Sequence, residues 1–582
     1  MPQLHYIEIP LIRLKVHLIL RVHQAAVFVL SFSWTHSRIR KKYGFGLKSG
    51  CCFFIGLSGS TARQADTKQA NPRYAAILAS SISSTKWKKI LAPFPTQSRR
   101  QLSMPIDINR IRDDRGFDPE EVRKSETARF RKADTVGEAM KADSEWRKEQ
   151  YILETLRRDL GVVQKAITDK KKLTKGQDPC DEEMKEKLAI ESKIAEQTKL
   201  VDSITAERDS KLNRIGNLVH ESVLIDNNED NNPIVRTWGN PRQFVVDGKT
   251  PGRLFHHQVL QMLEAYDQDP RGINVAGHRG YFLKGVGVLL NMALMNYGIS
   301  FLMKKGYLPI QPPFFMKKSV MAETAQLSDF DEQLYKVSEY SEAKKQELGL
   351  NGDEGEYYLI ATSEQPISAY HRNEWLSEKE LPKKYAGISS CFRKEAGAHG
   401  RDTWGLFRIH QFEKIEQFVI TEPEQSWPMH EEMAQTAEEF LESLELPYRR
   451  VSIVSGALND AAAKKYDIEA WFPAYKQYKE LVSCSNCTDY QSRAMETRSG
   501  HARQGDREKK YVHMLNSTLC ATERCLSCIA ENYQTETGLR VPKVLVPYMN
   551  GMEFIPYTAP APENKEEKKK EAAAPKVSVN GV

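Results

Sequence analysis

The feature that most constrains the fold is a seven-residue apolar repeat. Trp146, Leu153, Leu160 and Ile167 recur at one heptad position, and Leu156 and Val163 fill the alternate one. This a/d pattern predicts a long helix with a single apolar seam. Thr174-Lys175-Gly176-Gln177-Asp178-Pro179 breaks it. Ile190, Ile194, Val201, Ile204, Leu212, Ile215 and Leu218 then form a second, looser stripe. Two long helices joined by a Gly/Pro turn run antiparallel. Roughly thirty to forty residues at ~1.5 Å rise make an arm of about 45–60 Å. Its outer face is charged, and its tip carries Lys170, Lys171, Lys172 and Lys175. On this pattern alone a dimerisation coil, a spacer and an RNA-binding arm all remain open.

Charge divides the rest of the chain. Its 582 residues hold 84 Lys+Arg and 77 Asp+Glu, a net of +7. Residues 1–103 hold 16 of the bases and only two acids, Glu8 and Asp66, a net of +14. The remainder is therefore at −7, so a nucleic-acid reading of the body needs local patches rather than total charge. This basic, serine-rich start is expected to be a disordered or non-native extension, with an organelle transit segment as the alternative. Folded sequence is expected from Met104.

A prior of ~150 residues per domain suggests three or four units. Charged residues at 28% and a mean hydropathy of −0.55 exclude a membrane transporter. No run of about 18 uncharged apolar residues is expected, and the nearest lies between Arg21 and Arg38. Nine cysteines make no disulfide scaffold and favour a reducing compartment.

Short helices are expected over 104–142, one of them starting at Asp118 before Pro119, Glu120 and Glu121. Asn227, Asn228, Asn231, Asn232 and Pro233 read as a linker. An amphipathic helix is expected over 285–306. Apolar runs at Tyr357–Ala361, Gly387–Phe392, Ile415–Ile420 and Arg449–Val454 alternate with turns and with helices at 430–445 and 522–533. That mixture predicts an α+β domain with a largely antiparallel sheet. The tail from Glu563 to Ala574 is Lys/Glu/Ala-rich and reads as solvated.

One segment is dense with ligand-type residues: Cys391-Phe392-Arg393-Lys394-Glu395, Arg401-Asp402-Thr403, and Phe407-Arg408-Ile409-His410-Gln411-Phe412-Glu413-Lys414-Ile415-Glu416. Strand, charged loop, strand is the simple reading. Arg393 and Glu395 would then share a face and could hold an anion beside a donor group. A surface hairpin with ordinary ion pairs fits the same spacing.

These residues resemble motif two of the class II aminoacyl-tRNA synthetases. Gly306-Tyr307-Leu308-Pro309-Ile310-Gln311-Pro312-Pro313-Phe314 is similar to motif one, with Pro313 at the dimer-interface position. Leu515-Asn516-Ser517-Thr518-Leu519-Cys520-Ala521-Thr522-Glu523-Arg524 is similar to motif three. Ala361-Thr362-Ser363-Glu364-Gln365-Pro366, Arg401-Asp402-Thr403 and Glu480-Leu481-Val482-Ser483-Cys484-Ser485-Asn486-Cys487 narrow the resemblance to the seryl-tRNA synthetases of the eukaryotic cytosolic type. It covers about residues 104–560. It implies a tRNA-binding helical arm domain over 104–225, a class II catalytic domain over 226–560 and a tail over 561–582.

The resemblance further implies activation of L-serine by ATP and transfer to tRNA(Ser), and also to tRNA(Sec), by a cytoplasmic homodimer without a membrane partner. The alternative is a synthetase-like RNA-binding or regulatory protein without activation chemistry, against which intact Arg393, Glu395, Glu480 and Arg524 argue. A mitochondrial location is the alternative if the extension is a transit segment. Implied as catalytic are Arg393, Glu395, Arg408 and Arg524. Thr362, Glu364, Arg393, Glu416, Asn516 and Thr518 would bind serine. Arg393, Lys394, Glu395, Arg408, Ile409, His410, Gln411, Phe412, Glu480, Leu481, Val482, Ser483 and Arg524 would bind ATP, with Phe412 stacked on the adenine. Glu480 and Ser483 would contact magnesium brought with ATP.

Cys484-x-x-Cys487 and Cys525-x-x-Cys528 raise the alternative of a structural zinc site. The first pair continues an apparent strand and the second sits in a helix-like run, so no zinc is expected. His399 and His410 read as loop and scaffold.

Overall fold

The structure, a computed structural model, describes residues 104–560 apart from 132–133, 243–253, 325–329, 351–352, 396–404 and 502–508. The expectations for the extension, the tail and Arg401-Asp402-Thr403 lie outside the described residues.

Helix α1 (Pro119–Ala128) opens where Asp118 accepts a hydrogen bond from Glu120 N, with proline in its first turn. Helices α2 (Thr135–Leu173) and α3 (Asp181–Leu212) form the antiparallel arm. Leu153, Val163 and Ile167 are buried on the α2 seam, and Val201 and Leu212 on α3. Two members of the second stripe are not on the arm. α3 ends at Leu212, so Ile215 and Leu218 belong to its root, packed with Ile106, Ile111, Val122 and Val136. At the tip Gly176, at φ +82°, reverses the chain. There Lys170 reaches back to Glu183 at 2.8 Å and Asp178 at 3.5 Å, whereas Lys171, Lys172 and Lys175 are exposed.

The C-terminal part of the described chain is built on one eight-stranded sheet. Its parts in chain order are β1 (Ile234–Trp238), α4 (Val286–Lys304), β2 (Leu308–Ile310), α5 (Glu364–Ser368), β3 (Lys383–Phe392), β4 (Gln411–Thr421), α6 (Ser426–Ser443), β5 (Tyr448–Ser452), β6 (Lys464–Phe472), β7 (Gln477–Asn486), α7 (Tyr490–Ala494), β8 (His513–Ala521) and α8 (Thr522–Tyr533). The strand order is β1-β5-β6-β7-β8-β4-β3-β2. Every pairing is antiparallel except β2 with β3.

Strand alternation sorts the side chains into two layers. Ile415 and Val419 of β4 and Leu515 and Leu519 of β8 face the main core with α4, α6 and α8. Phe418, Ile420 and Met514 face a second cluster that includes Ile367 of α5. Glu416, Asn516 and Thr518 have the parity of this second face, and the site is built there.

Helix α4 corrects one expectation. Residues 286–303 carry no charge, and the helix is long and apolar enough for a membrane span by length and composition alone. Its apolarity has a core use here: Leu290, Ala293, Leu294 and Leu302 are wholly enclosed in the main core.

Candidate functional site

β3 and β4 pair from Gln411↔Phe392 inward, so the residues between them gather at one end of the sheet. Arg393 leaves β3 with its N–H donating to His410 O at 2.9 Å. Glu395 adopts φ +50°, and its carboxylate lies 3.6 Å from Arg408 and 4.0 Å from Arg279. The strand stops at Phe392, so a turn rather than shared pleating brings Arg393 and Glu395 together.

They line an open cleft, about 490 Å³ of empty space counting the solvent at its mouth, with Phe407, Arg408, Ile409, Phe412, Lys414, Glu480, Leu481, Thr518, Glu523 and Arg524. The Arg393 guanidinium sits 5.2 Å from the Phe412 ring centroid, and that of Arg524 sits 4.9 Å from Phe407. Arg524 Nη1 also donates to Glu480 Oε2 at 3.2 Å. Burial opposes the Glu480 charge, but Arg524, Lys465 and Arg393 outweigh it and hold its carboxyl below the usual range.

Other expected nucleotide residues sit around this cleft rather than on it. Lys394 donates its backbone N–H to Gln333 O at 3.0 Å. His410 Nδ1 lies 3.0 Å from Arg393 O. Gln411 is exposed opposite Phe392, and Val482 belongs to the main core.

Two register shifts decide which side chains can meet. Glu480 and Ser483 are three apart and would normally face opposite sides of a strand. Between Val482↔Ile468 and Glu480↔Glu469, however, β7 accommodates the extra residue Leu481, which restores their parity. Leu519 plays the same part in β8 between Thr518↔Glu416 and Cys520↔Ile415. Thr518 and Ala521, also three apart, therefore line one cleft.

Next to the cleft lies a polar pocket on the second face. Thr362 Oγ1 donates to Glu416 Oε2 at 3.0 Å, and Lys414 forms an ion pair with the same carboxylate. Glu364 Oε1 accepts from Asn516 Nδ2 at 2.9 Å and Gln491 Nε2 at 2.7 Å. Burial, followed by repulsion from Glu416, pushes Glu364 up to about 7. Glycine is needed at 387, because a Cβ there would lie 2.5 Å from Ser363 Oγ and 2.6 Å from Ile367 Cδ1. The missing Cβ lets α5 carry Glu364 close over β3. Arg393 links the two compartments, lining the cleft while its Nε donates to Ala361 O at 3.4 Å.

The sequence reading missed Lys414, Gln491, Arg279 and Asp467. Lys414 had a usable signal, two residues before Glu416 on a strand. Arg279 and Gln491 reach the site from distant segments, and no spacing announces them. Asp467, opposite Ser483, has an Oδ1 that is buried without a hydrogen-bond partner. Burial pushes its carboxyl up to about 7.

The four cysteines of the zinc alternative have separate partners, Cys525 being hydrogen-bonded to Cys520. Cys487 Sγ accepts from Asn516 Nδ2 at 3.5 Å, Cys528 Sγ donates to Trp471 O, and Cys484 Sγ donates to His430 O. His399 lies outside the described residues.

Comparison with known proteins agrees with this architecture. Residues 106–219 match the family described as seryl-tRNA synthetase N-terminal domain, and residues 336–533 match the tRNA synthetase class II core domain (G, H, P, S and T). The chain is 51% identical over 472 residues to the cytoplasmic serine–tRNA ligase of Dictyostelium discoideum, spanning 81% of this chain and 99% of that relative. The structure resembles the cytoplasmic serine–tRNA ligase of Naegleria fowleri in complex with AMP, with a TM-score of 0.66 and 47% identity over 78% of this chain and 99% of that one. It also resembles the seryl-tRNA synthetase of Pyrococcus horikoshii complexed with ATP, with a TM-score of 0.67 and 36% identity over 78% of this chain and 100% of that one.

Proposed function

The chain belongs to the seryl-tRNA synthetase family and attaches serine to tRNA, and we propose that its two compartments divide the work of activation. The polar pocket takes serine: Glu364 and Glu416 receive the ammonium group, and Thr362, Asn516 and Thr518 frame the hydroxyl. A pocket that hydrogen-bonds the hydroxyl rejects alanine, which would leave those groups unpaired. The cleft takes ATP, with Phe412 against the adenine, Glu395 accepting from its amine, and Arg408 and Arg524 on the far phosphates.

Arg393 then lies between the serine carboxylate and the α-phosphate. It stabilises charge on phosphorus while a carboxylate oxygen attacks and pyrophosphate leaves, giving seryl-adenylate. The terminal ribose hydroxyl of tRNA next attacks the activated carbonyl and releases AMP. The protein supplies no nucleophile.

A divalent ion accompanies ATP in such chemistry, and magnesium is the one proposed. Its donor set would be Glu480 and Ser483, whose shared parity and oxygen atoms suit it, beside the unpartnered Asp467 oxygen. When bound it supplies positive charge to the phosphates.

The placement of Arg393 at the junction carries the proposal. Serine-dependent ATP–pyrophosphate exchange tests it, and exchange that ignores serine would overturn it.

The arm, with Lys171, Lys172 and Lys175 exposed at its tip, would grip tRNA(Ser) and tRNA(Sec). A homodimer is proposed through α4 and β2, where Val288, Met292, Met303 and Leu308 expose apolar surface. Sedimentation of the purified chain checks that assembly. Cytoplasmic work is proposed, in line with the relatives' names.

A further inference from the structure

Behind Glu364 stands one turn of helix that the reaction described above does not use. Gln491 on α7 is 2% exposed and donates Nε2 to Glu364 Oε1 at 2.7 Å, while its own Oε1 is buried without a hydrogen-bond partner. The residue before it is tied the other way. Tyr490 donates its hydroxyl to Ile215 O at 3.0 Å, in the root of the arm.

Asn217, also in the root, donates Nδ2 to Cys487 O at 2.8 Å and to Thr488 Oγ1 at 2.9 Å, just ahead of α7. Arg129 locks this joint by donating to Asn217 O at 2.9 Å and Ala462 O at 2.7 Å. The same turn is thus fastened to the arm root on one side and to a pocket carboxylate on the other.

We propose that Gln491 is a positioning residue for serine, orienting Glu364 and favouring its charged form, and that the arm root holds Gln491 in place through Tyr490 and Asn217. The inference rests on the reading of Glu364 as a ligand of the serine ammonium. Glu416 also faces this carboxyl and opposes its charge, while Lys414 and Arg393 favour it; Cys487 beside it is kept a neutral thiol by burial and by Glu364. Gln491 adds a donor to the charged side of that balance.

Pyrophosphate exchange without tRNA tests this on the full chain. Gln491→Leu removes the donor at similar volume. It should raise the serine KM about tenfold or more, the range for a lost hydrogen bond to a charged group. The ATP KM should stay within about twofold. The acid limb of kcat/KM for serine should move to higher pH, because the carboxylate has lost a donor.

Gln491→Glu keeps the shape and sets one acid against another. It serves if the leucine variant misfolds, and should raise the serine KM further. Tyr490→Phe, which loses only the root contact, should raise it about threefold.

A serine KM within about twofold of the parent and an unmoved acid limb in the folded Gln491 variants would overturn the proposal. An unchanged Tyr490→Phe would overturn its arm-root half. Glu364→Gln in the same assay separates the two readings. If Glu364→Gln also leaves the serine KM unchanged, the pocket assignment itself is wrong; if it raises the KM while Gln491 variants do not, only the present inference falls.

Discussion

The arm and the sheet solve burial in opposite ways. Along α2 and α3 a narrow seam buries Leu153, Val163, Ile167, Val201 and Leu212, while Leu156, Leu160, Ile190, Ile194 and Ile204 stay half-buried. Tyr151, Val162, Leu173 and Leu188 remain exposed. Two helices have no third partner to close over them. In β4, by contrast, every residue from Lys414 to Thr421 is buried, charged ones included. The arm is held by local repeats and can be shortened by whole turns. The sheet holds its charged groups only by mutual satisfaction, as Lys414, Glu416 and Thr362 do, and each removal there leaves a partner stranded.

The largest effect should follow from cutting the link between the two compartments. Arg393→Ala should lower serine-dependent exchange on the order of 10²-fold or more, since truncating one member of a buried charge pair costs ~2–5 kcal/mol. The thermal midpoint should stay near that of the parent, because among the described residues the Arg393 side chain makes one long hydrogen bond, to Ala361 O, and packs on the Phe412 face. Exchange within a few-fold of the parent would show that this arginine is not where the chemistry happens.

The arm gives the complementary experiment. Replacing Ala166–Glu196 by a short turn should spare exchange within about twofold and strongly reduce tRNA charging, because the cut leaves the root residues Asn217 and Arg129 in place. Charging by the intact chain should also weaken steeply with added salt if the arm meets mainly phosphates. Normal charging by the shortened chain would make the arm a structural coil and erase the functional side of the contrast.

A smaller effect should come with pH. Glu364 is pushed up to about 7 from a usual 4.5, so between those values the folded chain holds a proton that the unfolded chain has released. Its contribution to stability is therefore full below the unfolded value and is lost as pH rises through about 7. Binding of a serine ammonium runs the opposite way, because it needs the carboxylate. Serine kcat/KM should rise about tenfold from pH 6 to pH 8, the change in ionised fraction for such a group. Urea midpoints at pH 5 and 8 should differ less for Glu364→Gln than for the parent.

The same contrast explains which parts of the molecule are legible in its sequence. The heptads name the arm because each seam residue lies a few positions from its neighbours on one helix. The β3–β4 pair is legible because its strands follow one another in the chain, joined by a single charged loop. Gln491 and Arg279 are not, since they meet Glu364 and Glu395 only after distant strands pair. The pleat argument for Arg393 and Glu395 reaches the right neighbours by the wrong geometry, because a left-handed Glu395 replaces an alternating strand. Glu480 and Ser483 look incompatible with one face until Leu481 shifts the register. Helix α4 is underestimated because its asparagines and serine hide an uncharged stretch of membrane-span length.

The smallest effect is expected where neither region is touched. Removing residues 1–103 should leave exchange and charging unchanged. Met104 and Ile106 pack into the root cluster with Ile111, Val122 and Leu212. The family match begins at residue 106, and the net charge turns from +14 before Met104 to −7 after it. Charging by a 104–582 chain should therefore equal that of the full chain, and a reporter fused to residues 1–103 should stay out of mitochondria. Lost charging would extend the arm's root into the extension, so that the arm would no longer be a locally encoded unit. Import of the reporter would assign the extension to transit and leave the division of labour between arm and sheet as it stands.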